Sequence, residues 1–286
     1  MASIRLIRRR IRSAGNIAQI TKAMQMVAAS KMKRAIEAAQ LGKLYGDKIY
    51  TATRELATRT EEKAHPLLGK GNPGGRTLVI LISTNKGLCG GLNTTLFRQV
   101  LEWTPQSSTS DYLTIGKKGE GFVVRSGRNL VADFSQTIPF LDNVPAITQL
   151  LVTGFLEGKY KEITVVYSGF VNALKQLPTK RLILPLAEFS KESDVEESLR
   201  FSEFVVEPTI DDVLTNLLPH YLENQLRSAI LEAEASEHSA RMIAMKNATD
   251  AAQDFMEALT HQLNKARQEK ITYEIADMVT ARMAVS

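Results

Sequence analysis

Residues 4–40, IRLIRRRIRSAGNIAQITKAMQMVAASKMKRAIEAAQ, decide the fold because their apolar and small side chains recur in alternating steps of three and four. This is the heptad spacing of a coiled-coil helix. A second apolar line runs beside this seam, so we expect the helix to contact more than one partner. The seam comprises Ile4, Ile7, Ile11, Ala14, Ala18, Thr21, Gln25, Ala28, Met32, Ala35 and Ala39. The second line comprises Ile17, Ile20, Met24 and Val27.

Proline and glycine divide the chain into three parts. No proline precedes Pro66, and neither proline nor glycine follows Pro219, so both ends can form long helices. We therefore predict coiled-coil helices in residues 1–64 and 210–286, which flank a central domain in residues 65–209. The C-terminal seam comprises Leu222, Leu226, Ala229, Ala233, Ser236, Ala240 and Ile243, then Ala244, Ala248, Ala251 and Phe255, and later Leu259, Leu263 and Ala266.

The predicted C-terminal helix is too long to be covered by the rest of the chain. At a rise of 1.5 Å per residue, a helix over residues 221–286 reaches about 100 Å. That length exceeds the diameter of any domain that 286 residues can build. The N-terminal helix can cover only part of it, so another protein must cover the rest.

The central part has the pattern of an α/β domain. Residues 77–83, TLVILIS, are typical of a buried strand, and the glycine-rich turn NKGLCGGLN follows them. Because strand and helix patterns alternate, we predict a Rossmann-like, doubly wound and largely parallel sheet with right-handed crossovers. The further predicted strands are residues 112–115, 163–167, 181–184 and 204–206, and helices are predicted after Gly116 and at residues 146–156.

Composition excludes several classes of protein. With 44% hydrophobic and 23% charged residues, the chain has no apolar run near the twenty residues that a membrane-spanning helix needs. Its lone cysteine, Cys89, excludes an intramolecular disulfide and a cysteine-rich zinc site. The net charge of +5 is unevenly distributed: residues 1–48 hold eleven Lys and Arg against two acidic residues, whereas residues 220–286 hold seven against ten. The two ends are therefore electrostatically complementary.

No motif indicates a catalytic centre, a metal site or a bound cofactor. The turn KGLCGGLN follows a strand and opens a helix, yet Gly87, Gly90 and Gly91 fit neither nucleotide-binding fingerprint. We favour a structural turn over a phosphate-binding site by about four to one. The carboxylates of the C-terminal helix, among them Glu232 and Glu234, are more typical of a solvated face than of a catalytic pair.

The arginine cluster Arg8, Arg9 and Arg10 leaves two interpretations open. A basic helix can bind phosphates, but aromatic residues are absent from the first forty positions, which lowers the case for single-stranded nucleic acid. An acidic protein surface is the favoured partner. The rival hypotheses are a basic coiled-coil scaffold that binds nucleic acid and a nucleotide-binding enzyme that uses the glycine-rich turn.

Four segments, in order and spread over nearly the whole chain, resemble the gamma subunits of F-type ATP synthases. They are NIAQITKAMQMVAASKMKRA at 16–35, STNKGLCGGLN at 83–93, SEHSARMIAMKNAT at 236–249 and NKARQEKITYE at 264–274. The chain departs from the family at Asn85, where an acid is usual, and at Ala281 and Arg282, which replace a Gly-Ala pair.

The resemblance implies a rotor shaft, built as an antiparallel coiled coil of the two terminal helices, without an active site of its own. Rotation of a membrane ring of c subunits would be coupled to ATP synthesis or hydrolysis in a hexamer of alpha and beta subunits, with the epsilon subunit beside the foot of the shaft. The resemblance also implies a peripheral location on the cytoplasmic side of a bacterial membrane, with no direct membrane insertion, no cofactor and no nucleic acid.

The resemblance assigns roles to particular residues. Met24 matches the position beside an acidic loop of beta, where Lys or Arg would add an unwanted ion pair. The tip of the C-terminal helix would turn in a hydrophobic collar. Apart from the resemblance, we expect Arg8, Arg9 and Arg10 to face acidic surfaces of beta or the outer end of the bearing. Residues matching the family's contacts with beta-subunit catch loops, and the intrahelical supports of those contacts, are Arg241, Arg267, Gln268, Thr272 and Glu274. The apolar tip comprises Met278, Val279, Met283 and Val285.

Overall fold

The computed structural model describes residues 4–58, 65–69, 71–105, 109–186, 206–207 and 209–285. Two long helices flank a compact α/β region in chain order. Their bounds are α1 Ile4–Thr58, β1 Arg76–Ile82, α2 Leu92–Trp103, β2 Ser110–Ile115, α3 Lys117–Arg125, β3 Asn129–Asp133, a short 3-10 helix Phe140–Asn143, α4 Val144–Leu156, β4 Tyr160–Phe170, β5 Gln176–Leu184 and α5 Ile210–Val285.

Five strands form one sheet in the order β3-β2-β1-β4-β5. Every neighbouring pair is parallel except β4 and β5, which run antiparallel. The order places β1 at the centre, and the chain moves outward to β3 before it crosses back to β4. This arrangement confirms the Rossmann-like α/β prediction, with β5 as an added antiparallel edge.

Helices cover both faces of the sheet because the side chains of β1 alternate between two cores. Val79 and Leu81 pack with α2 and α3 in the smaller core, whereas Leu78 and Ile80 belong to the larger core that also contains α4 and parts of α1 and α5. Each of these four strand residues is fully buried. Burial on both faces explains the uninterrupted apolar run, which is typical of a central parallel strand.

The chain divides into two compact units, residues 1–29 with 241–286, and residues 30–240. In the first unit, α1 and α5 pair antiparallel, since Thr21 lies against Thr249 and Gly15 lies against Met256. In the second unit, Gly46 lies against Asn224, and the ring centroids of Tyr50 and Tyr221 are 6.2 Å apart. Each unit therefore contains its own antiparallel stretch of the two helices, as predicted.

The predicted seam of α1 is confirmed, since all eleven of its residues are buried or half-buried. The seam of α5 was partly wrong. Ala251 and Phe255 are exposed, and the half-buried positions beside them are Ala252 and Met256. The heptad register therefore shifts by one residue in this region, which brings Met256 into contact with Gly15 of α1.

Helix α5 contains a proline, and two details of the strands differ from the sequence analysis. Helix α5 begins at Ile210 and continues through Pro219, although proline removes a helical hydrogen bond. Leu214 and Leu218 are completely buried there, and this apolar burial offsets the loss. Strand β3 was not predicted because it is short and only half-buried. Of the predicted strand 204–206, Val206 lies outside any strand, and residues 204–205 lie outside the described part of the chain.

Candidate functional site

The carboxyl end of the sheet is the place where Rossmann-like folds bind nucleotides. Here the loops after β1 and β2 bond to each other. The Ser83 hydroxyl donates to the Gly116 carbonyl at 3.0 Å and accepts from the Gly119 amide at 2.7 Å, while the Lys117 amide donates to Asn85 Oδ1 at 2.9 Å. The Lys118 amide donates to the Thr84 carbonyl at 3.1 Å, so the first three amides of α3 all bond within the chain.

The loops after β1 and β2 also approach each other closely at their backbones. Gly116 has φ +107°, and a Cβ at this position would overlap the carbonyl of Ser83. The glycine-rich turn is also held internally, because Asn93 Nδ2 donates to Thr84 Oγ1 at 2.7 Å and the Thr84 hydroxyl donates to the Lys86 carbonyl at 2.8 Å. The turn thus has the bonds of a structural element, in agreement with the favoured interpretation of its sequence.

Helix α1 presents exposed apolar residues in the first unit. Ile17, Ile20 and Val27 of the second apolar line are more than half exposed, whereas Met24 of the same line is half-buried. Arg8, Arg9 and Arg10 are also exposed, one helical turn or more before this line. The first unit therefore presents a basic segment followed by an apolar segment on the same helix.

The last part of α5 is exposed along its whole length. Every residue from 267 to 283 is exposed, including Arg267, Gln268, Thr272 and Glu274. The Thr272 hydroxyl donates to the Gln268 carbonyl at 3.0 Å, and Lys270 Nζ lies 3.3 Å from Glu274 Oε1. These contacts lie within the helix, so they leave the outward surface available to a partner.

The apolar tip predicted from the sequence lies in this exposed segment. Met278, Val279 and Met283 are 65%, 48% and 72% exposed. Val285 ends the helix, and its side chain lies outside the described part of the structure. Large apolar side chains exposed on one segment of helix mark a surface that another molecule covers.

The structure brings some of the predicted residues together and separates others. Arg8, Arg267 and Glu274 line one open cleft in the first unit, together with Ile4 and Lys270. Arg9, Arg10 and Gln268 do not line this cleft. Arg241 is half-buried, 26 positions before Arg267 on α5.

Sequence reasoning missed a polar cluster between α5 and the sheet in the second unit. The Tyr167 hydroxyl donates to Glu232 Oε2 at 2.9 Å, and Arg181 Nη2 lies 3.6 Å from Glu232 Oε1. Burial raises the pKa of Tyr167, and the Glu232 carboxylate raises it further, so the hydroxyl keeps its proton. Glu232 is therefore only partly solvated, with 31% of its side chain exposed, and it bonds to the sheet, although no pattern in the sequence pairs it with Tyr167.

Neither a metal site nor a membrane span is found in the described parts of the chain. Among residues 4–58, 65–69, 71–105, 109–186, 206–207 and 209–285, no three His, Cys, Asp or Glu side chains cluster as metal ligands. None of the helices described there combines the length and the hydropathy that crossing a bilayer requires.

Comparison with known proteins finds relatives that match the full length of the chain. A family model described as ATP synthase matches residues 3–285. The ATP synthase gamma chain of Roseiflexus castenholzii is 39% identical over 293 residues, covering 100% of this chain and 99% of that protein. The ATP synthase gamma chain of Opitutus terrae is 39% identical over 301 residues, covering 100% of both proteins.

Solved structures show the same fold. A chain of the central stalk and c-ring of the Tetrahymena thermophila mitochondrial ATP synthase is 26% identical, with a TM-score of 0.59 over 80% of this chain and 99% of that chain. A rotor chain of the Euglena gracilis mitochondrial ATP synthase is 18% identical, with a TM-score of 0.66 over 94% of this chain and 99% of that chain.

Proposed function

The chain belongs to the ATP synthase gamma-chain family, and we propose that it is the central rotor shaft that couples rotation of a c-ring to ATP synthesis or hydrolysis in an alpha/beta hexamer. Full-length similarity to gamma chains favours this function over the nucleic-acid scaffold. The observation that carries the proposal is the exposed segment 267–283 of α5, which needs a protein surface around it.

The shaft acts without chemistry of its own. The Lys117 and Gly119 amides at the carboxyl end of the sheet are bonded to Asn85 and Ser83, which supports a non-catalytic role for the α/β region. ATP would therefore be bound and hydrolysed by the partner subunits alone. We place the protein on the cytoplasmic side of a bacterial membrane, held there through the c-ring and the epsilon subunit.

Coupling requires a shaft whose faces differ. In the first unit, Ile17 and Ile20 give α1 an exposed apolar line, while the basic residues Arg8, Arg9 and Arg10 precede it. Three catalytic subunits around such a shaft meet different surfaces at any moment. A ligand or partner shifts an equilibrium only through such differential contacts, so these differences would set unequal nucleotide affinities in the three sites.

The exposed residues of α5 would make the main contacts with the hexamer. Arg267 and Gln268 can donate hydrogen bonds to carboxylates of beta-subunit loops, and guanidinium–carboxylate pairs are among the stronger polar contacts. Thr272 and Glu274 bond within the helix and support its surface. Met278, Val279 and Met283 offer non-directional apolar contact, which would give low barriers to rotation.

Reconstitution tests the function directly. The purified chain is mixed with alpha and beta subunits of a bacterial ATP synthase, and complex formation and ATP hydrolysis are measured. We expect a stable complex whose ATPase activity exceeds that of the alpha/beta mixture alone. A chain shortened to residues 1–266 serves as the matched comparison and should give a weaker complex. No complex and no rise in ATPase activity with the full chain would refute the rotor function.

A further inference from the structure

A line of polar side chains on α5 faces the β4–β5 hairpin in the second unit. Gln225, Glu232 and Ser239 are spaced seven residues apart, so they lie on one face of the helix over about 21 Å. Each bonds to the hairpin: Gln225 Oε1 accepts from Arg181 at 3.3 Å, Glu232 accepts from Tyr167 at 2.9 Å, and the Ser239 hydroxyl donates to the Ala173 carbonyl at 2.6 Å. The helix is therefore held at three separate points.

The three contacts reinforce one another. Arg181 bonds to Gln225 and lies beside Glu232, and its guanidinium carbon is 5.7 Å from the centroid of the Tyr167 ring. Tyr167 on β4 pairs with Thr179 of β5, which places Arg181 two residues along the partner strand. At the far end, Gln176 Nε2 donates to Ser239 Oγ at 3.4 Å. Strand β5 thus contributes at both ends of the line.

Apolar packing does less than the polar contacts to fix the rotation of α5 about its own axis. Leu218, Leu222 and Leu226 bury the helix against the larger core, but apolar attraction is non-directional. Hydrogen bonds weaken steeply when their angles change, so three of them at intervals along one face resist rotation of the helix about its axis. Polar side chains bonded between packed elements favour one arrangement of those elements, and this cluster is partly buried, with 37% and 31% of the Arg181 and Glu232 side chains exposed.

We propose that Gln225, Glu232 and Ser239, bonded to the β4–β5 hairpin, lock the rotational register of α5 on the sheet and carry torque between the α/β region and the shaft. This inference rests on the proposed rotor function. The residues are positioning residues: they touch no nucleotide, and they hold the helix that contacts the catalytic subunits.

The expected consequence of losing the lock is slip under load. Without the polar bonds, α5 can turn relative to the hairpin when the c-ring resists rotation, so ATP is hydrolysed without a full step of the ring. Without load, little torque crosses the contact, and hydrolysis should change little. A hydrogen bond to a charged group is worth roughly a factor of ten or more in an equilibrium constant, so the slipped register should become markedly more populated.

The test uses the assembled ATP synthase in membrane vesicles, with the double variant Tyr167→Phe and Ser239→Ala. Both changes remove a hydroxyl and alter side-chain volume little. Proton pumping and ATP hydrolysis are measured together, with and without an uncoupler. We expect pumping per ATP to fall about fivefold or more, while uncoupled hydrolysis stays within about twofold of wild type, in line with the loss of two hydrogen bonds.

Thr164→Val is the matched control. Thr164 is buried on β4, two residues before Val166 and therefore on the same face of the strand. Val166 lies in the smaller core, on the face opposite to Tyr167. This variant should pump as wild type does. Glu232→Gln keeps an acceptor for Tyr167 and should retain more coupling than the double variant.

The outcomes separate the two proposals. Wild-type coupling in the double variant, accompanied by a lower thermal midpoint, would overturn the lock and leave a purely structural role. If the double variant does not assemble, Ser239→Ala alone removes one point of attachment, and unchanged pumping there would also overturn it. Failure of the wild-type chain to form an active complex refutes the rotor function instead.

Discussion

The hydroxyl oxygens of Thr21 and Thr249 lie 2.7 Å apart across α1 and α5 in the first unit. Each hydroxyl also lies within hydrogen-bonding distance of a carbonyl of its own helix, Thr21 at 3.0 Å from Ile17 and Thr249 at 2.8 Å from Met245. Since a hydroxyl has one proton, one threonine must donate across the pair while the other donates to its own helix. The pair therefore fixes the register of the two helices at a largely buried position.

Removing this bond should weaken the pairing of the two helices. Thr21→Val and Thr249→Val should each lower the free energy of unfolding by about 1 kcal/mol, the net value of a typical hydrogen bond. The double variant should lose less than the sum, with a coupling of about 0.5–1 kcal/mol. Urea unfolding of the wild type, the two single variants and the double variant measures this coupling. Strictly additive losses would mean that the two hydroxyls do not share a bond.

Two glycines of α1, one helical turn apart, should respond in opposite ways to alanine. A Cβ at Gly42 meets no atom within 4 Å, whereas a Cβ at Gly46 would lie 2.5 Å from Nδ2 of Asn224. Gly42→Ala should stabilise the protein by about 0.5–1 kcal/mol because alanine is the better helix former. Gly46→Ala gains the same propensity but forces Asn224 to move, at a cost of about 1–3 kcal/mol.

Thermal unfolding of both glycine variants measures the difference. Adding Asn224→Ala to Gly46→Ala should recover most of the lost stability, because the smaller side chain removes the overlap. If Gly46→Ala alone were as stable as Gly42→Ala, the close approach of α1 to α5 at Asn224 would be wrong.

Glu234 should make stability depend on pH. Burial raises the pKa of its carboxyl, the Glu237 charge raises it further, and Lys31 lowers it. Because the pKa of Glu234 is raised in the folded state, the carboxyl contributes stability to the fold below its unfolded pKa. This contribution is lost as the pH rises through the folded pKa. The ionised form of Glu234 therefore destabilises the folded state at pH values above the folded pKa.

Glu234→Gln should raise the free energy of unfolding at pH 7 by about 0.2–0.5 kcal/mol, the size of a like-charge pair on a helix. The gain should disappear at about pH 4 and below, where the carboxyl is protonated in both states. Thermal midpoints at pH 7 and pH 4 test this, with Glu257→Gln on the exposed side of α5 as the control. A gain that is equal at both pH values would contradict the assignment.

Gln268 tests the proposed contact with the hexamer. Gln268→Ala should lower the ATPase activity of the reconstituted complex by about tenfold, as expected for a contact of more than 1 kcal/mol at an interface. Gln253→Ala is the matched control, because Gln253 is also exposed on α5 in the first unit. Both variants should have the same thermal midpoint as free proteins. Equal activity of the two complexes would remove Gln268 from the interface and leave the fold unaffected.

Much of the fold was predictable because it depends on repeated patterns. The heptad spacing of α1 follows from burial of one face of the helix, and the apolar run of β1 follows from burial of both faces of the strand. Strand β3 follows α3 after a short turn and depends on parallel pairing with β2, and its residues carry no comparable signal. The register shift near Met256 depends on how the side chains of both helices fit together, which neither helix specifies alone.

The candidate surfaces were predictable only in part. Exposed apolar residues such as Met278 can be recognised on a part of α5 that none of the described residues covers. The contact between Tyr167 and Glu232 joins positions 65 residues apart, and it depends on the path of the hairpin across α5. Long-range polar contacts of this kind require the assembled fold, because neither residue type is unusual in its own segment.

The hydrogen bonds of Ser83 and Asn85 to the amides that begin α3 have a consequence for how ATP can act on this protein. A Rossmann-like domain usually becomes more stable when a nucleotide occupies the end of its sheet. Here the Lys117 and Gly119 amides are satisfied by Asn85 and Ser83, so millimolar ATP should leave the melting temperature of the chain unchanged. On the proposed function, the chain would then respond to nucleotide only through mechanical force from the subunits around it.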